Sequence, residues 1–473
     1  MKNEYPPVRD RGSFRDPSGY IFLSGSNVYR TVNAIAMKNF SYVLESGVIA
    51  EMISNRLLIS TELVNTQDGN YHLFSGARGE IPQILLKHPK VPFVSYAYEW
   101  TFSQLKDAAL AHLDLQIACL QFGVTLSDAS TFNMQFVEGE IQHIDVLSLR
   151  AYKDGEPWVG YNQFCRLFIA PLLVEAWAGI PFHSLLKGRL EGLDLNEVSR
   201  ILPKGKLWTS LNGLLHIALQ SNLIAKANSS SKSMASSSQA TLPKHRYLAL
   251  LKELRNWIAS LQTGRKIRTY WNSYAIENTY SNEMRRDKHE FVRQWFSEIS
   301  KGIIWDIGGN TGEYSKTALQ AGASMAVVFD TDLDSLEKAY ADSKKKINML
   351  PIRMDLADPS PRQGWNQQER AGLNERNKPD GLIALAIIHH LAIGRNIPLE
   401  ELVDWLVNAA PYGVIEFVPK SDPMVLQMML DREDVFCDYT EENFMQYVTK
   451  RAEITRQHRF SGNDRLILSY KRK

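Results

Sequence analysis

An α+β domain and an α/β domain joined by a serine-rich tether are what these 473 residues predict. From Gly302 onward short apolar strands alternate with amphipathic helices, the pattern of a mostly parallel sheet covered on both faces. Between Ala225 and Thr241 the chain reads AKANSSSKSMASSSQAT, with almost no large apolar side chain to offset the entropy of ordering it. The length also exceeds what one core usually fills. The expected division is a first domain over 1–224, a tether over 225–243 that ends at Pro243, and a second domain over 244–473.

A hydrophobic share of 44% and a charged share of 22% are globular values. The net charge of +2 gives no broad face for a polyanion, which disfavours nucleic acid as partner. Lys344-Lys-Lys346 reads as a solvated helix end. The start, Met1-Lys-Asn-Glu-Tyr-Pro-Pro, is charged and broken by proline, unlike a signal peptide. The most apolar run, from Gly381 to Ile393, holds two histidines and is short for a membrane span. Cys119, Cys165 and Cys437 are dispersed and odd in number, so they are expected to be buried thiols in a cytoplasmic protein.

In the second domain Tyr247, Leu248, Leu250, Leu251, Leu254, Trp257, Ile258 and Leu261 recur at helical spacing and predict a lead-in helix. Trp271, Tyr274 and Tyr280 read first as packing against the sheet and second as a lid. A helix near 283–299 follows. Strands are expected at 303–307, 325–330, 350–354, 382–388 and 414–418, with helices at 314–321, 334–346 and 399–409. Residues 452–460 and 465–470, around a turn at 461–464, predict a closing antiparallel hairpin.

The first strand runs into Asp306-Ile-Gly-Gly-Asn-Thr-Gly312 and then a helix. Glycine lets such a turn curl tightly and admits a ligand close to the backbone. Glycines at 308, 309 and 312 do not match the G-x-G-x-x-G of dinucleotide folds. They resemble the D/E-x-G-x-x-x-G loop of S-adenosylmethionine (SAM) methyltransferases, with Asp306, Gly308, Gly309, Asn310 and Gly312 as cofactor contacts. Asp330 closes the next strand, where a carboxylate can accept both ribose hydroxyls; Thr331 and Asp332 stand beside it, and Asp332 is the alternative. Asp355 and Leu356 follow the third strand, at the place for the adenine amino group. Together these predict a Rossmann-like class I methyltransferase with a mostly parallel seven-stranded sheet and a terminal hairpin. At the expected end of the fourth strand, His389 or His390 is the candidate to take a proton from an acceptor hydroxyl or amine. Glu416 on the fifth strand reads equally as a polar wall of the site and as a buried structural carboxylate.

In the first domain Asp128 and Asn133 keep the D-x-x-x-x-N spacing of a kinase catalytic loop. Asp145, after a short hairpin at Val137-Glu-Gly-Glu140, falls where kinases place a metal-binding aspartate. Asp128 would accept a hydroxyl proton while Asn133 and Asp145 hold Mg²⁺ on the phosphates of ATP. Val146 and Leu147 replace the usual Phe-Gly, no V-A-I-K-like strand is visible, and Ser24-Gly-Ser26 is at best a vestigial phosphate loop. A kinase-like α+β domain used to bind or position a ligand is the leading reading, with an active phosphotransferase second.

Several stretches resemble the bacterial NoeA-like nodulation-protein methyltransferases: residues 88–100, Leu126-Ser-Asp-Ala-Ser130, Phe132-Asn-Met-Gln-Phe136, Ile144-Asp-Val-Leu-Ser148, Pro157-Trp158, Trp305 to Gly312, Asp358-Pro-Ser-Pro361 with Gly364-Trp365, Ala386-Ile-Ile-His-His-Leu391 and Glu416-Phe-Val418. The resemblance runs from about Gly19 to Tyr470, outside the tether. It implies SAM dependence and a glycan or other small-molecule acceptor. Three functions follow in order: an O- or N-methyltransferase whose kinase-like domain presents the acceptor, a bifunctional kinase-methyltransferase, and a non-catalytic SAM-binding scaffold or sensor.

Overall fold

The computed structural model describes residues 6–64, 71–76, 81–219, 241–265, 282–299, 302–430, 432–460 and 464–473. Residues 225–240 of the tether, Trp271, Tyr274, Tyr280 and 461–463 of the closing turn lie outside the described residues. The chain divides into two compact units, Met1–Lys266 with Arg362–Arg370, and Ile267–Pro361 with Ala371–Lys473.

The first unit holds an antiparallel sheet of β1 (Val8–Arg9), β2 (Ile21–Ser24), β3 (Asn27–Val32), β4 (Glu62–Leu63) and β5 (Ile84–Pro89), in the order β1-β2-β3-β5-β4. Ser24 pairs with Asn27, and Gly25 between them has a φ of 57°. Ser24-Gly-Ser26 is therefore the tight turn of the β2–β3 hairpin and not a phosphate loop. The helix Ala34–Glu45 joins β3 towards β4. The long helix Phe102–Gln121 starts at a capping box, in which Thr101 accepts from the Gln104 N–H and Gln104 accepts from the Thr101 N–H. After it β6 (Val124–Leu126) pairs with β9 (Leu149–Ala151), and β7 (Met134–Val137) pairs with β8 (Glu140–His143). Phe40, Val43, Leu86, Leu115, Leu126 and Val146 share one buried cluster beneath these elements.

The helix Lys244–Ser260 also belongs to the first unit. Gln116 Nε2 donates to Tyr247 Oη at 3.1 Å, and Arg255 pairs with Asp114 at 2.5 Å. Its buried stripe of Tyr247, Leu251, Leu254 and Ile258 packs beside the helix Phe102–Gln121. That corrects the expected lead-in: periodicity identified the helix, but its apolar face serves the first core.

The second unit contains β10 (Ile303–Ile307), β11 (Met325–Asp330), β12 (Met349–Arg353), β13 (Gly381–Ala384), β14 (Tyr412–Phe417), β15 (Ala452–Arg459) and β16 (Leu466–Arg472). Their order is β12-β11-β10-β13-β14-β16-β15, parallel from β12 to β14 and antiparallel at β16 and β15. This is the sheet expected from the sequence, and its order reverses beside β10, where the carboxyl ends of strands open a crevice. Phe291, Trp295, Val328, Ile383, Val414 and Ile467 form its core. The fourth strand is shorter than expected. It stops at Ala384, Ala386 takes a φ of 50°, and Ile388–Ala392 coils into a short helix. A left-handed residue cannot continue an extended strand, so both histidines ride on the helix and not on the strand end.

Among the described residues no helix is long and apolar enough to cross a membrane. Cys119 and Cys165 are buried as expected, whereas Cys437 is exposed.

Candidate active site

The glycine loop of the second unit is held from beneath by one buried carboxylate. Asp306, 2% exposed at the end of β10, accepts from Ser315 Oγ at 2.6 Å. Burial pushes its carboxyl up to about 6, against the opposing bonds from Ser315. A Cβ on Gly309 would stand 2.6 Å from Asp306 Cγ, so the missing side chain is what lets the carboxylate sit there. Asp306 thus shapes the loop from inside and presents no open face to a ligand. Gly308 and Gly312 have φ near 70°, and the N–H groups of Gly308 and Gly309 both donate to Phe329 O.

Asp330 ends β11 beside that loop. Its Oδ2 accepts from the Asn310 N–H and its Oδ1 from the Asp332 N–H, each at 2.8 Å. Burial raises its pKa, and the backbone N–H bonds from Asp332, Asn310 and Thr331 oppose the rise. Asn310, Thr331 and Asp332 are thereby gathered around one carboxylate. Asp332 itself is engaged as a helix cap, accepting from the N–H groups of Asp334 and Ser335. Thr331 is exposed. Asp355, after β12, accepts from Arg395 Nη2 at 2.5 Å and from the Ala357 N–H, with Leu356 half-buried between them.

The imidazoles of His389 and His390 are 4.2 Å apart between centroids. His389 is 1% exposed, and its Nδ1 has no hydrogen-bond partner among the described residues. Burial, with His390, Arg465 and Lys288 nearby, holds it well below the ordinary histidine range. His390 is only half-buried, and burial lowers it too. Next to this pair lies a set of charges that the sequence did not reveal. Lys288 Nζ donates to Glu416 Oε2 at 2.7 Å, Arg465 Nε donates to Asp422 Oδ2 at 2.7 Å, and Arg465 Nη1 is 3.6 Å from Glu416 Oε1. All four are buried. Of the two readings of Glu416, the structure therefore gives the buried structural carboxylate.

In the first unit Asn133 Nδ2 donates to both oxygens of Asp128 at 3.1 Å. Burial, and then the charge of Asp145, push Asp128 up to about 7. Asp145 caps the turn that follows it, accepting from the Leu147 N–H. Arg30 of β3 binds Asp16 and stands 3.8 Å from Asp145. Arg30 carries no sequence signal of its own, since its stretch, Asn27-Val-Tyr-Arg-Thr-Val32, lacks the V-A-I-K pattern. Among the described residues no three His, Cys, Asp or Glu side chains are grouped as a metal site. Asn133 faces Asp128, and Asp145 faces Arg30 and its own backbone turn.

No protein-family model matches the chain. Nodulation protein NoeA from Rhizobium meliloti (strain 1021) is 38% identical over 468 residues, a match covering 98% of this chain and 96% of that protein. Among solved structures, the N-methyltransferase NodS from Bradyrhizobium japonicum WM9 is 12% identical with a TM-score of 0.30, covering 41% of this chain and 98% of that one. WbdD in complex with a kinase inhibitor is 14% identical with a TM-score of 0.30, covering 43% of each chain.

Proposed function

The chain belongs to the NoeA family of nodulation proteins, and we propose that it works as a class I methyltransferase dependent on SAM. One observation carries the reading: the Gly308–Gly309–Asn310 turn and Asp330 meet at the carboxyl ends of β10 and β11, tied by the 2.8 Å bond from the Asn310 N–H. The Asp330 carboxylate accepts from the backbone N–H groups of Asn310, Asp332 and Thr331, and its remaining acceptor capacity suits a ribose hydroxyl. The left-handed Gly308 and Gly312 let the loop curl tightly against Ile387, Met349 and Val328. Asp355, steadied by Arg395, is the partner for the adenine amino group. Bound there, SAM supplies a methyl group activated by its sulfonium.

The acceptor is an oxygen or nitrogen nucleophile of a small molecule or glycan. His390 is the half-buried member of the histidine pair and the one that an acceptor can reach. Kept neutral by burial, it can take the proton that the nucleophile sheds, and transfer itself is largely a matter of alignment. His389, sealed behind it, orients its neighbour.

For the first unit the reading is a kinase-like module that holds the acceptor or a companion ligand. It is supported by the strand order β1-β2-β3-β5-β4, by the helix between β3 and β4, and by Asp128, Asn133 and Asp145 on successive turns. Arg30 near Asp145 favours a second reading, phosphoryl transfer by the same chain, because a β3 cation beside that aspartate suits a phosphate.

Calorimetry with SAM on the full chain tests the first reading, followed by incubation with a metabolite extract and identification of the methylated product by mass. A chain that binds no SAM overturns it. Magnesium-dependent ATP hydrolysis that disappears in Asp145→Ala is the result the second reading requires.

A further inference from the structure

Between β12 and β13 of the second unit the chain departs for nine residues, Arg362–Arg370, which belong to the first unit. They form a closed hairpin. Gln363 and Arg370 bridge its base, and Gly364, Asn366 and Gln367 at its tip have positive φ. Glu369 fixes it in place: Oε1 accepts from Arg15 Nε at 2.9 Å, from Arg15 Nη2 at 2.7 Å and from the Trp365 N–H at 2.7 Å. Trp365 packs on Phe14 with ring centroids 5.4 Å apart.

The hairpin delivers one side chain to the loop that carries Asp128 and Asn133. The Arg370 guanidinium lies 3.9 Å over the ring of Phe132, the residue before Asn133, and Tyr96 stands 6.0 Å from that ring. Arg370 Nη1 donates to Glu369 O at 2.8 Å. Its Nε is buried and has no hydrogen-bond partner among the described residues. Glu369, the adjacent carboxylate, is spent on Arg15 and the Trp365 N–H. Burial lowers the Arg370 pKa, against the opposing pull of Tyr96, Glu369, Tyr98 and Asp10. A guanidinium stacked on an aromatic face keeps its Nε edge rigid, and that edge offers two parallel N–H donors matched to an oxyanion.

We propose that the hairpin completes a binding site in the first unit, in which the Nε edge of Arg370, stacked on Phe132, grips a phosphoryl group of the ligand. The choice of phosphate over carboxylate rests on the kinase-like reading of Asp128, Asn133 and Asp145. The site is separate from the glycine loop, so its failure and that of the methyltransferase reading are independent.

Titration of the full chain with inorganic phosphate, a hexose 1-phosphate and ATP, followed by calorimetry, tests it. Phosphate-bearing ligands are expected to bind, and Arg370→Gln to weaken them at least tenfold. Arg370→Lys, which keeps the charge and loses the fork, should fall between. SAM affinity and the circular dichroism spectrum should not change. Which of the three binds tightest distinguishes a free anion from a sugar-borne or nucleotide-borne one. Equal affinity for wild type and Arg370→Gln overturns the proposal while leaving the kinase-like reading in place. Absence of binding by all three overturns both. Arg15→Ala, which frees Glu369, provides a second variant: it should weaken the same ligands without touching Arg370 itself.

Discussion

Lys288 and Glu416 meet across 2.7 Å in the interior of the second unit, on a helix and a strand far apart in the chain, with side-chain exposures of 2% and 0%. Removing one partner strands the other as a buried charge, which typically costs about 3–5 kcal/mol. Glu416→Ala should therefore lower the unfolding free energy by roughly that amount. The double variant Lys288→Met with Glu416→Leu should recover much of it, because a matched apolar pair leaves no uncompensated ion. Urea titration of both variants checks this. A Glu416→Ala variant as stable as wild type would show that Lys288 is not left as an uncompensated buried charge.

Gly308→Val would disturb the cofactor loop and the packing behind it together. Gly308 has a φ of 70°, and a Cβ there would come within 3.0 Å of Ile387 Cδ1. A β-branched residue in the left-handed region adds strain of about 1–2 kcal/mol, so Gly308→Val should lower stability as well as SAM affinity. Melting curves with and without SAM separate the two effects.

Asp330→Ala removes the acceptor for the Asn310 and Asp332 N–H groups together with the proposed ribose contact. SAM affinity should drop by about 1–3 kcal/mol, the usual range for charged hydrogen bonds. Asp332→Ala, which deletes only a helix cap, should cost about 1 kcal/mol of stability and leave SAM affinity within twofold. Calorimetry showing the reverse ranking would exchange the roles of the two aspartates.

Turnover should separate the histidines. His390→Ala is expected to lower kcat at least tenfold with SAM affinity unchanged, and His389→Ala to do so less, with a loss of stability because it empties a buried position. Steady-state kinetics with the identified acceptor decides. Normal kcat in both variants would remove the histidines from the reaction.

The first unit should lose stability on acidification. Burial lowers His88 and His216 to about 4 and His112 to about 3. Folded, these imidazoles refuse protons that the unfolded chain accepts below about 6.5, so stability is intact above that pH and falls as pH drops towards 4. Each contributes a slope of about 1.4 kcal/mol per pH unit in that window. Asp128, raised to about 7, acts oppositely, since its folded form holds a proton that the unfolded carboxyl releases, and stability falls as pH climbs from about 4 to 7. His112→Phe should flatten the acid side of a stability profile, and Asp128→Asn the other. Denaturation midpoints at four pH values measure both.

What the sequence disclosed and what it hid divide along sequence separation. The Asp306–Gly312 loop, the strand-end Asp330 and the closing hairpin were legible because each is encoded within a few residues, by glycine spacing or by strand alternation. Lys288, Arg465 and Arg30 were not, because each acquires meaning only from a partner that folding brings in: Glu416, Asp422 and Asp145 respectively. The helix Lys244–Ser260 shows a subtler failure. Its apolar stripe was plain, but periodicity gives a face and not the surface that covers it. His389 and His390 were misplaced by local geometry, since nothing in Leu385-Ala-Ile-Ile388 announces that Ala386 will turn left-handed.

The hairpin at Arg362–Arg370 also governs how the polypeptide can be divided. Cutting within the serine-rich tether would look natural from composition, but it would deprive the N-terminal piece of both the helix Lys244–Ser260 and a loop encoded more than a hundred positions later. Neither half is a self-sufficient module that evolution or an experimenter could shuffle intact, and a gene fission at the tether would leave the upstream product with an unfilled seat beside Phe132.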